Sequence, residues 1–252
     1  MRHWLAILLS FAGVAPGGAA EGFMPPDESL YAMGRFVYER NCLVCHGRWG
    51  DGDGELAKGM IPKPRKFSAG IFKYRTTPAG ALPTDEDLTR TIRGGRANTS
   101  MPYFTQLSDR EVRAVVEFIK FFSPRWRKPE NYAAPVKLPE PPAWLDAEAA
   151  PRAAQGRATF TLVCTPCHGA QADGKGPAVA GLKDAWGDPA QPADLRSPAF
   201  RNGRTPPDIF RVLTLGIHGT PMPSFAEALT AEQRWELAAF ISTLRPPETA
   251  KK

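Results

Sequence analysis

Two short stretches hold every cysteine of the chain. "NCLVCHGRWG" at 41–50 contains Cys42 and Cys45 with His46 behind them, and "VCTPCHGAQA" at 163–172 contains Cys164 and Cys167 with His168 behind them. C-x-x-C-H is the attachment pattern of a c-type haem. Two thiols three residues apart at a helix end can reach the two vinyl groups on one edge of a porphyrin. The adjacent histidine then lies under the iron, so attachment and proximal ligation come from one turn of chain. Two other uses of paired cysteines have to be weighed. A redox dithiol belongs in a strand–helix context, which the pattern here lacks. Structural zinc takes two C-x-x-C pairs close together; here the pairs lie 122 residues apart, each with its own histidine. The reading is two covalently bound haem c groups, with Cys42, Cys45, Cys164 and Cys167 as attachment residues and His46 and His168 as iron ligands.

A second axial ligand has to come from the opposite face. "NTSMPYF" and "GTPMPSF" place Met101 and Met222 at 55 and 54 residues beyond the proximal histidines. Each methionine precedes a proline, which biases it toward extended backbone and lets the thioether point from a loop. A lone methionine is commonly a core residue, but Met-Pro-x-Phe at matched positions in both halves argues for ligation. Met24, Met33 and Met60 have no counterpart and read as packing or surface residues.

The elements that must position these residues repeat with them. Gly34 matches Gly156, Cys42 matches Cys164 and His46 matches His168 at an offset of 122; Met101, Pro102 and Phe104 match Met222, Pro223 and Phe225 at 121. This is a two-fold internal repeat. Each half predicts a helix before its cysteines, carrying Met33, Phe36, Val37 and Tyr38 in one and Ala153, Gly156 and Phe160 in the other. A short middle helix opens at Thr84 with Asp87 three residues on, and at Thr205 with Pro206 and Asp208. A last helix opens at Ser108 with Glu111, then Val112, Val115, Val116 and Ile119 at helical spacing; its counterpart opens at Thr230 with Gln233, then Leu237, Ile241 and Leu244. Pro124 and Pro246 stop these helices. No alternating strand pattern appears, so the fold class is all-α. Residues 123–151 hold seven prolines and predict a semi-rigid extended connector, with Trp126, Tyr132 and Trp144 packing on what flanks it. The expected organisation is a leader over 1–20, a first domain over 21–123, a connector over 124–150 and a second domain over 151–252.

On CLVCH with Met101, CTPCH with Met222, and an aromatic four residues before each first cysteine (Tyr38, Phe160), the chain resembles a tandem di-haem class I cytochrome c. The likeness covers residues 30–245 apart from the connector. It implies two small all-α domains wrapped around haem, His/Met ligation and electron transfer. A six-coordinate iron leaves no open position for substrate, and a His/Met pair raises the potential, which favours a carrier over an enzyme. Redox protein donors and acceptors are the implied partners. A di-haem peroxidase also carries two C-x-x-C-H motifs, but it needs an openable axial site. A dedicated subunit of a larger oxidoreductase complex stays open beside the free carrier. "FKYRTTPAGALPTDEDLTRTIRGGRANTSMP" resembles cytochrome subunits that serve respiratory oxidoreductases.

The N-terminus has the form of a secretory signal: Arg2, an apolar run from Leu5 to Val14, and small residues Gly18 and Ala20 before Glu21. That run is too short to span a bilayer, and no later stretch is apolar enough to do so. The expected location is the periplasm or another exported compartment. Removing Arg2 from 32 basic residues leaves 31 against 26 acidic, a net +5, which four haem propionates would nearly cancel; no nucleic-acid partner is read from it. Among lesser candidates, His218 lies four residues before Met222 and reads as a loop histidine rather than an alternative ligand. Arg75, Arg93 and Arg204 are possible partners of propionates. "GDGDGE" at 50–55 is a turn, since Leu56 and Pro62 stand where a calcium loop needs glycine and glutamate.

Overall fold

The computed structural model describes residues 27–244 except 148, 199, 202 and 204, with the backbone alone at 146, 147, 149 and 150. The expected leader and Pro246 lie outside the described residues. The first half contains α1 (Glu28–Asn41), the one-turn α2 (Leu43–His46), α3 (Asp85–Gly94) and α4 (Asp109–Lys120). The second contains α5 (Trp144–Ala147), α6 (Ala149–Val163), the one-turn α7 (Thr165–His168), α8 (Pro206–Leu215) and α9 (Ala231–Thr243). Among the described residues there is no strand, only an isolated bridge between Lys183 and Pro189.

The predicted helix starts carry their caps. Thr84, Ser108, Thr205 and Thr230 each accept the backbone N–H three residues on, while Asp87, Glu111, Asp208 and Gln233 reach back to the cap residue's own N–H. Each such cap stabilises its helix by about 1 kcal/mol. α1 starts differently: Asp27 accepts from Ser29 N at 2.9 Å and Leu30 N at 3.1 Å.

In each half the first and last helices cross, α1 on α4 and α6 on α9. The crossing point is a glycine. A Cβ built on Gly34 would overlap the Ala114 carbonyl, and one on Gly156 would overlap the Glu236 carbonyl. Ala114 and Glu236 are themselves one repeat apart, so both crossings use the same contact. Around the first, Tyr38 packs on Phe118 at 5.2 Å and Phe122 at 5.1 Å between ring centroids, with Val37, Val112, Val115, Val116 and Ile119 buried beside them. Around the second, Phe160 meets Phe240 at 5.3 Å and Phe210 stacks on Trp235 at 4.1 Å, over buried Leu213, Leu237 and Ile241. Phe36, on the first helix, is 60% exposed and takes no part in this core.

The proline-rich stretch is less of a free spacer than its composition suggests. Pro124–Arg127 and Pro129–Asn131 are 3₁₀ turns, and Trp126 is buried in the first half's core. Asn131 accepts from Leu82 N at 2.8 Å and Val136 donates to the Thr76 carbonyl at 2.8 Å. Leu138 and Trp144 then pack on the second half. The chain is thus tied to one half or the other for most of the passage, and α6 already begins at Ala149.

Gly156→Ala is expected to destabilise the second half by about 1–3 kcal/mol, because backbone cannot yield as a side chain would. Each kcal/mol corresponds to roughly 4–8 °C in a unit of this size. Thermal unfolding of the intact protein should show the loss in one transition, with the first half's transition in place.

Candidate functional site

Each site starts where a long helix stops. Cys42 closes α1 by donating its N–H to the Tyr38 carbonyl at 2.8 Å, and also opens α2; the Cys45 and His46 N–H groups return to the Cys42 carbonyl at 3.2 and 2.9 Å. Cys164, Cys167 and His168 repeat this at 2.8, 3.3 and 2.8 Å. All four cysteines are unpaired. Burial pushes the Cys42 thiol up to about 12 and Cys164 up to about 11, with the neighbouring cysteine adding to the shift. A redox C-x-x-C works through a thiol whose pKa is lowered, and these two are moved the other way.

Each histidine is held through one ring nitrogen. His46 Nδ1 lies 3.0 Å from the Arg65 carbonyl, and His168 Nδ1 lies 3.2 Å from the Ala193 carbonyl. A carbonyl only accepts, so Nδ1 carries the proton and Nε2 keeps its lone pair, the arrangement of a metal-bound imidazole. Burial pushes His46 down to about 4 against the pull of the Arg65 carbonyl, and lowers His168 in the same way. His46 stacks on Phe67 at 4.4 Å, 16° from parallel. His46 is buried and His168 only partly so. Tyr38 donates to the Gly47 carbonyl at 2.7 Å; Phe160 has no hydroxyl for the matching bond.

The Met-Pro loops are copies of one another. The Met101 carbonyl accepts from Arg96 N and the Met222 carbonyl from Ile217 N, both at 3.0 Å. The Met101 N–H donates to Thr99 Oγ1 at 3.0 Å and that of Met222 to Thr220 Oγ1 at 3.3 Å, while each threonine donates to the carbonyl three residues back. Phe104 N returns to the Ile92 carbonyl at 3.1 Å and Phe225 N to Leu213 at 2.8 Å. Gly95 and Gly216 end the middle helices at φ +57° and +64°, and a Cβ there would come within 2.9 Å of the backbone of the Met-Pro step. The sequence reading did not single out Gly95, Gly216, Thr99 or Thr220, although all obey the 121-residue offset. Met101 and Met222 are half-buried, each packed against its own half's core.

The remaining candidates separate. Arg93 is engaged within its own half, with Asp109 at 2.6 Å, the Phe104 carbonyl at 3.4 Å and the Leu107 carbonyl. Arg204 lies outside the described residues. Arg75 is buried, and its Nη1 has no partner among the described residues; the same holds for Trp126 Nε1, Trp144 Nε1 and His218 Nδ1. Histidines with a free ring nitrogen, free cysteines one turn of chain before them and a buried guanidinium with an unused N–H fit a haem with its carboxylates. No group of three or more His, Cys, Asp or Glu side chains suited to a bare metal ion occurs among the described residues.

A family model described as cytochrome c oxidase, cbb3-type, subunit III matches the chain twice, over residues 29–119 and 151–241. Those windows stand at the same 122-residue offset as the cysteines. A chain of the reducing HAO-like protein complex of Kuenenia stuttgartiensis is similar, with 36% identity, a TM-score of 0.79, and coverage of 85% of this chain and 96% of that one. No curated protein matches.

Thr220→Val removes the acceptor for the Met222 N–H. The loss of about 1 kcal/mol should speed hydrogen exchange at that amide about fivefold. Mass-spectrometric exchange over 217–225 checks this, with the peptide around Met101 as the unaffected control.

Proposed function

The chain belongs to the cytochrome c oxidase, cbb3-type, subunit III family, and on that premise we propose that Cys42 and Cys45 hold one haem with His46 and Met101 as its axial ligands, and that Cys164 and Cys167 hold the other with His168 and Met222. The protein is a di-haem c-type cytochrome of two cytochrome c-type domains, and its role is electron transfer. When bound, the haem supplies an iron that takes up and gives back one electron. The chain's part is to keep the ligand set constant while the charge changes. The Arg65 and Ala193 carbonyls fix the tautomer of His46 and His168. The Thr99 and Thr220 bonds fix the methionine backbones, and the Gly-ended middle helices set where those loops begin. What carries the proposal is the duplication of this whole set, bond for bond, around both C-x-x-C-H turns.

The leader over 1–20 belongs to this proposal, because c-type haem attachment and an exported address go together in the sequence; so do the borders at 21–123, 124–150 and 151–252. No helix among the described residues is long and apolar enough to cross a membrane.

A second element concerns the partner. The similar solved chain is part of a reducing HAO-like protein complex, which supports a role as an electron-transfer subunit of an oxidoreductase complex. The two domains differ in what they expose beside their ligands. Val44 is 40% exposed and Trp49 70% exposed next to the first C-x-x-C-H turn, and Tyr103 is 70% exposed next to Met101. The matching positions are Pro166, Gln171 and Ser224. Beside the second turn Leu162 is 81% and Val163 40% exposed, so each domain offers its own apolar rim to a protein partner.

Denatured protein should retain two haem masses through acid–acetone extraction, and one haem or none would refute the reading. Met101→Ala and Met222→Ala should each remove one haem's share of the weak far-red methionine–iron absorption and lower that haem's potential. If His218 were the sixth ligand instead, His218→Ala would have that effect and Met222→Ala would not.

A further inference from the structure

The two halves meet along a seam whose charges are unequal. The first half brings Lys63, Lys73, Arg65, Arg75 and Arg96. Lys63 pairs with Asp188 at 3.3 Å and Lys73 with Asp184 at 3.9 Å, and Arg65 lies over the Trp186 ring at 4.2 Å. Arg96 donates to the Arg201 carbonyl at 3.3 Å and lies over Tyr74 at 4.3 Å. Arg75 makes no direct ion pair or ring contact among the described residues, and the acid that favours its charge is Asp87 of its own half. Arg75 is only 6% exposed. Its Nε donates to the Pro78 carbonyl at 3.1 Å, and its Nη2 crosses the seam to the Leu215 carbonyl at 3.4 Å, at the end of α8. Nη1 is left without a partner among the described residues.

Across the seam, His218 is in the same condition. It sits in the turn between α8 and Met222, and its Nδ1 also has no partner among the described residues. Burial lowers its pKa, and the charge of Arg75 is the largest electrostatic contribution to that shift, ahead of Arg125 and Arg65. The acids nearby are already used. Asp184 accepts from Trp186 N and Asp188 N and pairs with Lys73, and Asp87 caps α3 and accepts from Thr76. Asp87 acts on Arg75 without a hydrogen bond to it, and buried polar groups are retained where they are hydrogen-bonded, so Arg75 Nη1 and His218 Nδ1 lack an acceptor among the described residues.

We propose that Arg75 Nη1 and His218 Nδ1 together receive a carboxylate of a bound haem, so that one propionate group is held by both domains at once. This rests on haem being bound at the C-x-x-C-H turns. The first domain's arginine then tunes a redox centre from the seam, and the docking of the two domains becomes a property of the haem-loaded protein. Either haem could extend the carboxylate, and the test separates the two.

The haem-loaded protein is compared with Arg75→Gln, Arg75→Lys and His218→Leu by optical redox titration and by resonance Raman of the propionate bending bands. Uncompensated carboxylate charge favours ferric iron. Arg75→Gln should therefore lower one haem's potential by the equivalent of about a tenfold change in its ferrous-to-ferric ratio, about 59 mV for one electron. It should move that haem's propionate band and leave the other haem unchanged. Arg75→Lys keeps the charge and should restore most of the potential, which a purely structural role would not predict. Repeating the titration in a Met101→Ala background marks the first haem spectrally and assigns the shift to one domain. Should Arg75→Gln fail to fold, a moved propionate band in His218→Leu carries the same weight. Unchanged potentials and unmoved bands in the folded variants overturn the proposal and leave water as the filler of the gap. A chain with no haem would give no propionate bands at all, which defeats the underlying reading instead.

Discussion

Each domain depends on a helix crossing with nothing between the two backbones. Gly34 against the Ala114 carbonyl, and Gly156 against the Glu236 carbonyl, bring the first and last helices as close as helices can come. That approach decides where the first helix ends, and the cysteines begin at that end. Cys42 and Cys164 each take their N–H bond from the last turn of the crossing helix, so the attachment turn has no freedom of its own. The aromatic one turn earlier, Tyr38 or Phe160, is buried at the same crossing. A side chain at the glycine would not merely loosen a core. It would move the C-x-x-C-H turn.

The Met-Pro loop is placed by a different device. The middle helix ends at a glycine with positive φ, and the chain turns through a threonine that bonds both backward and forward before the methionine is reached. The returning Phe104 and Phe225 N–H groups close the loop onto α3 and α8. These bonds are local, each spanning a few residues or one loop. A loop closed this tightly fixes the methionine backbone through bonds within its own domain.

Much of this was legible from residue types and offsets. Thr84 with Asp87, Ser108 with Glu111, Thr205 with Asp208 and Thr230 with Gln233 announce helix starts because a cap is a contact between residues three apart. The C-x-x-C-H turns and the Met-Pro-x-Phe loops are equally local. What escaped was set by contacts across long stretches of chain. The sequence predicts Trp126, Tyr132 and Trp144 packing on what flanks the connector, and Trp126 is buried in the first core, but the tie of Val136 to the Thr76 carbonyl and of Asn131 to Leu82 N carries no such signal. Phe36 sits on the apolar helix before the cysteines yet faces outward. Arg93 and Arg75 look alike as free cations in the sequence. One is consumed by Asp109 and two carbonyls of its own domain, while the other reaches a carbonyl 140 positions away. Nothing in periodicity or spacing carries that difference.

The duplication is close inside each domain and abandoned between them. Inside, the crossings and the backbone bonds of the attachment turns and methionine loops repeat, while the Tyr38 hydroxyl bond has no match at Phe160. At the seam, the first domain presents cations and the second presents Asp184, Asp188 and carbonyls. Two identical domains would present like charge to like charge, so divergence at the seam is what allows a fixed pair. The contacts made there also lead back to the ligands. Arg65 holds His46 through its carbonyl while its guanidinium lies on Trp186 of the other domain. Gly219, in the loop of Met222, lies against Ile71 of the first domain. One residue on the proximal side of the first site and one loop on the distal side of the second are therefore part of the same interface. A change in how the domains dock would be felt at the His46 turn and at the Met222 loop, and a chain built to pass electrons between two centres gains from having their environments fixed by a single contact.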